Sequence, residues 1–164
     1  INYVCQDYTD LDYQNQFSAA FLIYYDLGVL PDGELEKVLG NISRALKPGG
    51  LFCFDVPTDL FRQGETNQSW SIQPGGFWKP VPYLELAQTF RYETEHLLLD
   101  QYLILDEDGR LRVYRIWQRT FTLEMIQLYL EQAGMEIQAV WEDLSGTPYT
   151  EQSTTMGIAA VKPR

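Results

Sequence analysis

The 164-residue sequence predicts an α/β fold in which a strand–helix–strand core is interrupted by an antiparallel β insert and then completed by a helix and two strands. Three observations carry that prediction. Residues 17–24 (FSAAFLIY) are a short continuous apolar run, the pattern of a strand buried on both faces of a parallel sheet. Residues 32–46 place Leu35, Val38, Leu39, Ile42 and Leu46 at helical spacing. Residues 44–56 (RALKPGGLFCFDV) then leave that helix through Pro-Gly-Gly and enter a second apolar run.

Taken in chain order, residues 2–5 (NYVC) read as the end of a strand that gives way to a loop at Gln6 and Asp7. The 17–24 strand is followed by the helix, with Asp32 as its expected N-cap. Lys47 suits the negative C-terminal end of a helix, Pro48 forbids its continuation, and Gly49 and Gly50 accept the positive φ of a tight return. Residues 51–56 form the next strand, so the unit is βαβ with a right-handed crossover. Beyond Pro57, residues 62–82 are rich in Gly, Pro, Gln and Trp and read as a long irregular loop. Strand-like runs follow at 83–92, 95–106 and 110–121, the last two joined by a hairpin turn at 107–109 (EDG). Antiparallel strands inside an α/β chain suggest a cap over a site. Thr122 N-caps a helix over 123–133, with Glu124 in its first turn, and Gly134 stops it. Residues 135–141 and 155–161 are closing strands around a Ser-Gly-Thr-Pro loop. The expected organisation is therefore 1–61 as core, 62–121 as insert and 122–164 as the end of the core, within one domain.

The apolar fraction of 45% and aromatic fraction of 14% are those of a globular protein. A formal charge of −11, from 23 acidic and 12 basic residues, repels phosphate backbones and argues against a nucleic-acid partner. It suits a cationic ligand, although solubility alone accounts for it. No apolar run is long enough to cross a bilayer, so no membrane partner is expected and the cytoplasm is the expected location. Cys5 and Cys53 are isolated and read as free structural thiols, and a single histidine, His96, excludes a His-rich metal site. No metal is expected.

With that organisation in place, the chain resembles the second half of a class I S-adenosylmethionine-dependent methyltransferase. The stretch RALKPGG is similar to the turn before that family's fifth strand. Upstream, CQDYTDLDYQNQFSAAFLIYYDLGVL resembles its third-strand acidic motif and fourth strand. Downstream, YRIWQRTFTLEMIQLYLEQAGMEI resembles the helix leading to its sixth strand, and TTMGIAAVKPR its antiparallel seventh strand. The resemblance implies a partial Rossmann-like methyltransferase sheet with the β insert as substrate cap. It also implies S-adenosylmethionine as cofactor and a small-molecule methyl acceptor. The family's glycine-rich turn has no counterpart in the sequence, so the chain is expected to be the third-strand-onward part of a longer enzyme.

The same resemblance assigns roles. Asp7 would hold the adenine amine, with Tyr8 beside the ring; the plainer reading is a strand-ending acid and an edge-packing tyrosine. Ile23 and Tyr24 would lie by the cofactor, while Tyr25 and Asp26 would face the acceptor, Asp26 as orienter or base; the alternative is packing tyrosines and a turn aspartate before Gly28. In the insert, Trp78, Tyr92 and Trp117 could line an acceptor pocket, with Arg115 or His96 fixing a polar group, or the aromatics could simply be cross-strand pairs. A rival function is a non-catalytic module of methyltransferase-like fold that forms a homodimer through an exposed sheet edge or through the insert.

Overall fold

A computed structural model describes residues 1–65 and 67–164; Thr66, part of the expected 62–82 loop, lies outside the described residues. The chain divides into two units, Ile1–Phe61 with Thr120–Arg164, and Arg62–Arg119.

The first unit holds a four-stranded sheet of order β1-β2-β8-β7, made of β1 (Phe17–Leu22), β2 (Leu46–Pro57), β7 (Glu136–Trp141) and β8 (Thr155–Val161). β1 and β2 are parallel and joined by α1 (Asp32–Ala45); β8 runs antiparallel to both β2 and β7. The Lys-Pro-Gly-Gly corner is taken up inside β2: Phe17 pairs with Leu46 but Ala19 with Leu51, so the intervening residues bulge. Gly49 sits there at φ +80, its N–H donating to the Lys162 carbonyl at 2.8 Å.

Alternation in the strands sorts their side chains. Phe52, Phe54 and Val56 of β2 and Met156, Ile158 and Ala160 of β8 all point to one face, which packs on Leu35, Val38 and Leu39 of α1 and on Ile126 and Leu130 of α2 (Leu123–Gln132). Thr122 caps α2 as expected, its hydroxyl accepting the Met125 N–H at 3.2 Å, and Gly134 ends it at φ +73. The cap of α1 differs from expectation. Asp32 is its first helical residue, and the Pro31 carbonyl accepts the Glu34 and Leu35 N–H groups.

Two strand expectations are corrected. Residues 2–5 form no strand; they are exposed, and among the described residues β1 is the last strand in the sheet on that side. The 17–24 run is also not buried on both faces. Its strand ends at Leu22, Phe21 is 71% exposed, and the face bearing Phe21 and Cys53 contributes nothing to the core cluster. Cys5 and Cys53 are both free, the Cys53 thiol pushed up by burial.

The loop after β7 is tied by one carboxylate. Asp143 accepts the N–H and hydroxyl of Ser145 (2.8 and 2.7 Å) and of Thr147 (3.2 and 2.7 Å). These four bonds favour the anion and hold its pKa far below the ordinary carboxylate range, the Ser145 hydroxyl contributing most. A depressed pKa contributes stability that is present above the unfolded value, near pH 4, and lost as pH falls through the folded one. Asp143→Asn is therefore expected to lower stability at pH 7 and to flatten the acid-induced loss below about pH 4. Urea unfolding at several pH values reads this, and parallel pH profiles for both proteins would sink it.

The second unit is an antiparallel meander of order β3-β4-β5-β6: β3 (Gln68–Gln73), β4 (Tyr83–Tyr92), β5 (Leu97–Asp106) and β6 (Leu111–Arg119). β3 corrects the expected irregular 62–82 loop, since QSWSIQ pairs in register with β4 along its whole length. The hairpin turn lies where the sequence places it, with Gly109 at φ +76. One sheet face is roofed by the segment after β3. There the Trp78 ring stacks on Tyr114 (4.4 Å, 23°), its Nε1–H donates to Glu85 (2.9 Å), and Lys79 pairs with Asp106.

Candidate functional site

Parallel β1 and β2 end on the same side of their sheet, and in open α/β folds ligands sit outside such carboxyl ends. Chain leaving β1 there does something unusual: Tyr24 and Tyr25 are consecutive non-glycine residues in the left-handed region, at φ +75 and +62. Each such residue costs about 1–2 kcal/mol of backbone strain, so the surroundings must hold the corner. The Tyr25 N–H donates to Asp55 Oδ1 at 3.0 Å from the carboxyl end of β2, and the Tyr25 carbonyl accepts the Gly28 N–H at 2.9 Å. The Tyr25 ring packs edge-on against Phe61 at 5.3 Å. Tyr24 stacks loosely on Tyr25 at 6.1 Å and is otherwise 87% exposed.

Asp26 follows on the 3-10 turn Asp26–Val29, with its carboxylate beside the Tyr8 phenol. Burial first, and Asp26 second, raise the Tyr8 pKa. Burial first, and Asp55 second, do the same for Tyr25, with Thr155 beside its hydroxyl. Both phenols are thus neutral hydrogen-bond donors near pH 7. Tyr8 also packs against the core, and the chain around it is pinned to α1 by Asn41 Nδ2 on the Thr9 carbonyl (2.8 Å) and by the Lys37–Asp10 pair (2.8 Å). Asp7 does not end a strand. It caps the 3-10 turn Tyr8–Asp10 by accepting the Thr9 N–H at 2.8 Å, which lowers its pKa.

The structure therefore brings Tyr8, Tyr24, Tyr25 and Asp26 to one corner, with Asp7 next along the chain. Ile23 lies at the same strand end but is 58% exposed, and by alternation it shares the face of Phe21. Asp55, Phe61 and Thr155 were not singled out in the sequence. A signal for Asp55 existed, the one acid that interrupts the apolar run FCFDV at its carboxyl end.

Within the insert, the five residues singled out do not converge. Trp78 belongs to the roofed face, near a polar recess of about 230 Å³ lined by Arg62, Glu85, Thr89, Asp100 and Tyr102. Tyr92 and Trp117 contact each other on the opposite face (5.6 Å), where Arg115 Nε donates to Gln101 (2.9 Å). His96 occupies the turn between β4 and β5 at φ +55.

No protein-family model and no curated protein matches the chain. Solved structures do. The chain is similar to an S-adenosylmethionine-dependent methyltransferase of Clostridium acetobutylicum (TM-score 0.74, 16% identity, 98% of this chain and 64% of that one). It is similar to the CcbJ methyltransferase of Streptomyces caelestis (0.72, 16%, 98% and 63%). It also matches an S-adenosylmethionine-bound amino pentose methyltransferase of Micromonospora echinaspora (0.55, 16%, 96% and 63%). These likenesses establish the fold as Rossmann-like and methyltransferase-type; the chain spans less than two thirds of each of those structures. Among the described residues, no helix is long and apolar enough to cross a membrane.

Proposed function

We propose that this chain is the acceptor-side part of an S-adenosylmethionine-dependent methyltransferase acting on a small, polar, amine- or hydroxyl-bearing molecule. The observation that carries the reading is the tethered Tyr24–Tyr25 corner at the carboxyl ends of β1 and β2, flanked by Asp26 and Asp55. The donor set fits the cofactor: two carboxylates and exposed tyrosine ring surface suit a sulfonium cation, a ring face attracting such a charge by about 0.5–2 kcal/mol. Tyr24 would offer that face, Tyr8 would pack beside the base, and Asp7, an exposed acceptor, would take an exocyclic amine. When bound, S-adenosylmethionine supplies an electrophilic methyl group on a good leaving group. The protein's share is then to align the acceptor and exclude water, with Asp26 orienting the acceptor and accepting its proton if it arrives charged or as a hydroxyl. Similarity to an amino pentose methyltransferase supports a polar, amine-bearing acceptor. The glycine-rich turn that the family uses for the methionine end is absent from this sequence, so full affinity is expected only when that part of the fold is supplied.

Calorimetric titration with S-adenosylhomocysteine tests this, using the 164-residue chain and a longer chain in which a glycine-rich first half of the fold is joined ahead of Ile1. Binding by the longer chain, weakened by Tyr24→Ala, supports the reading. If neither chain binds, the fold has been kept without its cofactor and the interaction-module reading replaces this one.

A further inference from the structure

The insert sheet is inside out. An antiparallel sheet with one face covered normally turns polar side chains to water on the other. Here the roofed face carries the carboxylates Glu85, Asp100 and Asp106, while the open face is mostly apolar, with its only charges on Arg115 and Arg119. Strand register resolves that open face into rungs. Ile72, Leu84, Leu105 and Leu111 lie side by side, and so do Trp70, Leu86, Leu103 and Val113. A third rung is Gln68, Gln88, Gln101 and Arg115, and beyond it Phe90, Leu99 and Trp117 align. Trp70 and Ile72 are 70% and 73% exposed, and an open groove of about 570 Å³ runs between the tryptophan and glutamine rungs.

We propose that this face is the seat of a second copy of the same chain, packed sheet on sheet across a two-fold axis. Charge argues for a self-partner. The chain carries 23 acidic residues, yet no position on this face is Asp or Glu, although the opposite face of the same strands has several. Copies with a net charge of −11 repel one another, and a carboxylate-free patch is where they can meet at least cost. The chemistry is largely self-complementary as well: apolar rungs meet apolar rungs, and the amides of Gln68, Gln88 and Gln101, donors and acceptors at once, can meet their own kind and accept from Arg115. Size agrees. Strands of 6, 10, 10 and 9 residues, at about 3.3 Å per residue and about 4.8 Å apart, present roughly 550 Å², so a pair removes roughly 1,100 Å² from water, above the roughly 1,000 Å² that a specific interface needs.

The test is sedimentation equilibrium of the chain with two matched substitutions on one strand. Val113 lies on the open face and Ile116 on the roofed face of β6, at 43% and 44% exposure, and Ile116→Glu, set directly opposite Asp100, is the more demanding of the two on the fold. The wild type is expected to be a dimer at micromolar concentration. Val113→Glu should weaken it about a hundredfold, as should Trp70→Glu, while Ile116→Glu leaves it intact. Circular dichroism melts confirm that the variants stay folded. A wild type that is monomeric throughout overturns the proposal, whatever else covers the face. So does a dimer indifferent to Val113→Glu and Trp70→Glu, which would be joined by a strand edge, or one broken equally by Ile116→Glu. The methyl-transfer reading is not involved in any of these outcomes.

Discussion

Gly157→Ala is expected to destabilise the α/β unit by about 2–3 kcal/mol, the upper range for forcing a methyl group into a packed interior. Gly157 lies on β8 between Asp55 of β2 and Trp141 of β7. A Cβ built there would stand 2.5 Å from the Asp143 carbonyl carbon and 2.7 Å from its oxygen, both backbone atoms. Relief would require the 142–154 loop to withdraw, and that loop is fastened. Asp143 is held to Ser145 and Thr147 by four bonds, the Glu142 N–H donates to the Thr147 carbonyl at 2.8 Å, and Trp141 bridges Pro148. The alternative is for β8 to move, which shifts Asp55 across the ladder and with it the Tyr25 tether. Urea unfolding measures the loss. A change under about 0.5 kcal/mol would mean that the loop yields freely and that the close approach is not a constraint, since surface changes fall in that range.

The core was legible in the sequence because its signals are local. The spacing of Leu35, Val38, Leu39 and Ile42, the hydroxyl of Thr122 and the glycines at 109 and 134 each act within a few residues of their own position, and each element lies where those signals put it. What escaped depends on neighbours distant in sequence. The tetrapeptide at 2–5 has strand-like residues but no strand beside it to pair with, and propensity without a ladder makes no strand. Conversely, QSWSIQ reads as polar loop until β4 supplies a full register, since only its alternate positions Trp70 and Ile72 are apolar. The site divides in the same way. Its tyrosines stand out as a dipeptide at a strand end, whereas Asp55 reaches Tyr25 across 30 residues of chain. Nor could one-dimensional density of aromatics reveal that Trp78 and Trp117 lie on opposite faces of the insert, because a face is assigned by register.

Asp55→Ala is expected to cost about 1–3 kcal/mol of stability, the usual penalty for stranding a partly buried N–H group. In a methyltransferase-competent longer chain it should also lower methyl transfer by about a hundredfold, the scale of an ångström-level misplacement of reacting groups. Two left-handed tyrosines in succession are unfavourable, and Asp55 Oδ1 holds the backbone N–H of the second of them from the neighbouring strand. Without it the corner relaxes toward ordinary φ values, which swings the Tyr24 ring and the start of the Asp26 turn away from the strand ends. Tyr24→Gly separates strain from tether. Glycine accepts φ +75 freely and the lost ring is almost wholly exposed, so this change should raise stability by about 0.5 kcal/mol, strain relief less the entropy glycine adds to the unfolded chain. In the double variant, the cost of Asp55→Ala should shrink, because a corner that is no longer strained needs less holding. Additive effects in that cycle would show that Asp55 and the Tyr24 conformation are independent, and the corner would then be an incidental turn rather than a strained site maintained for binding.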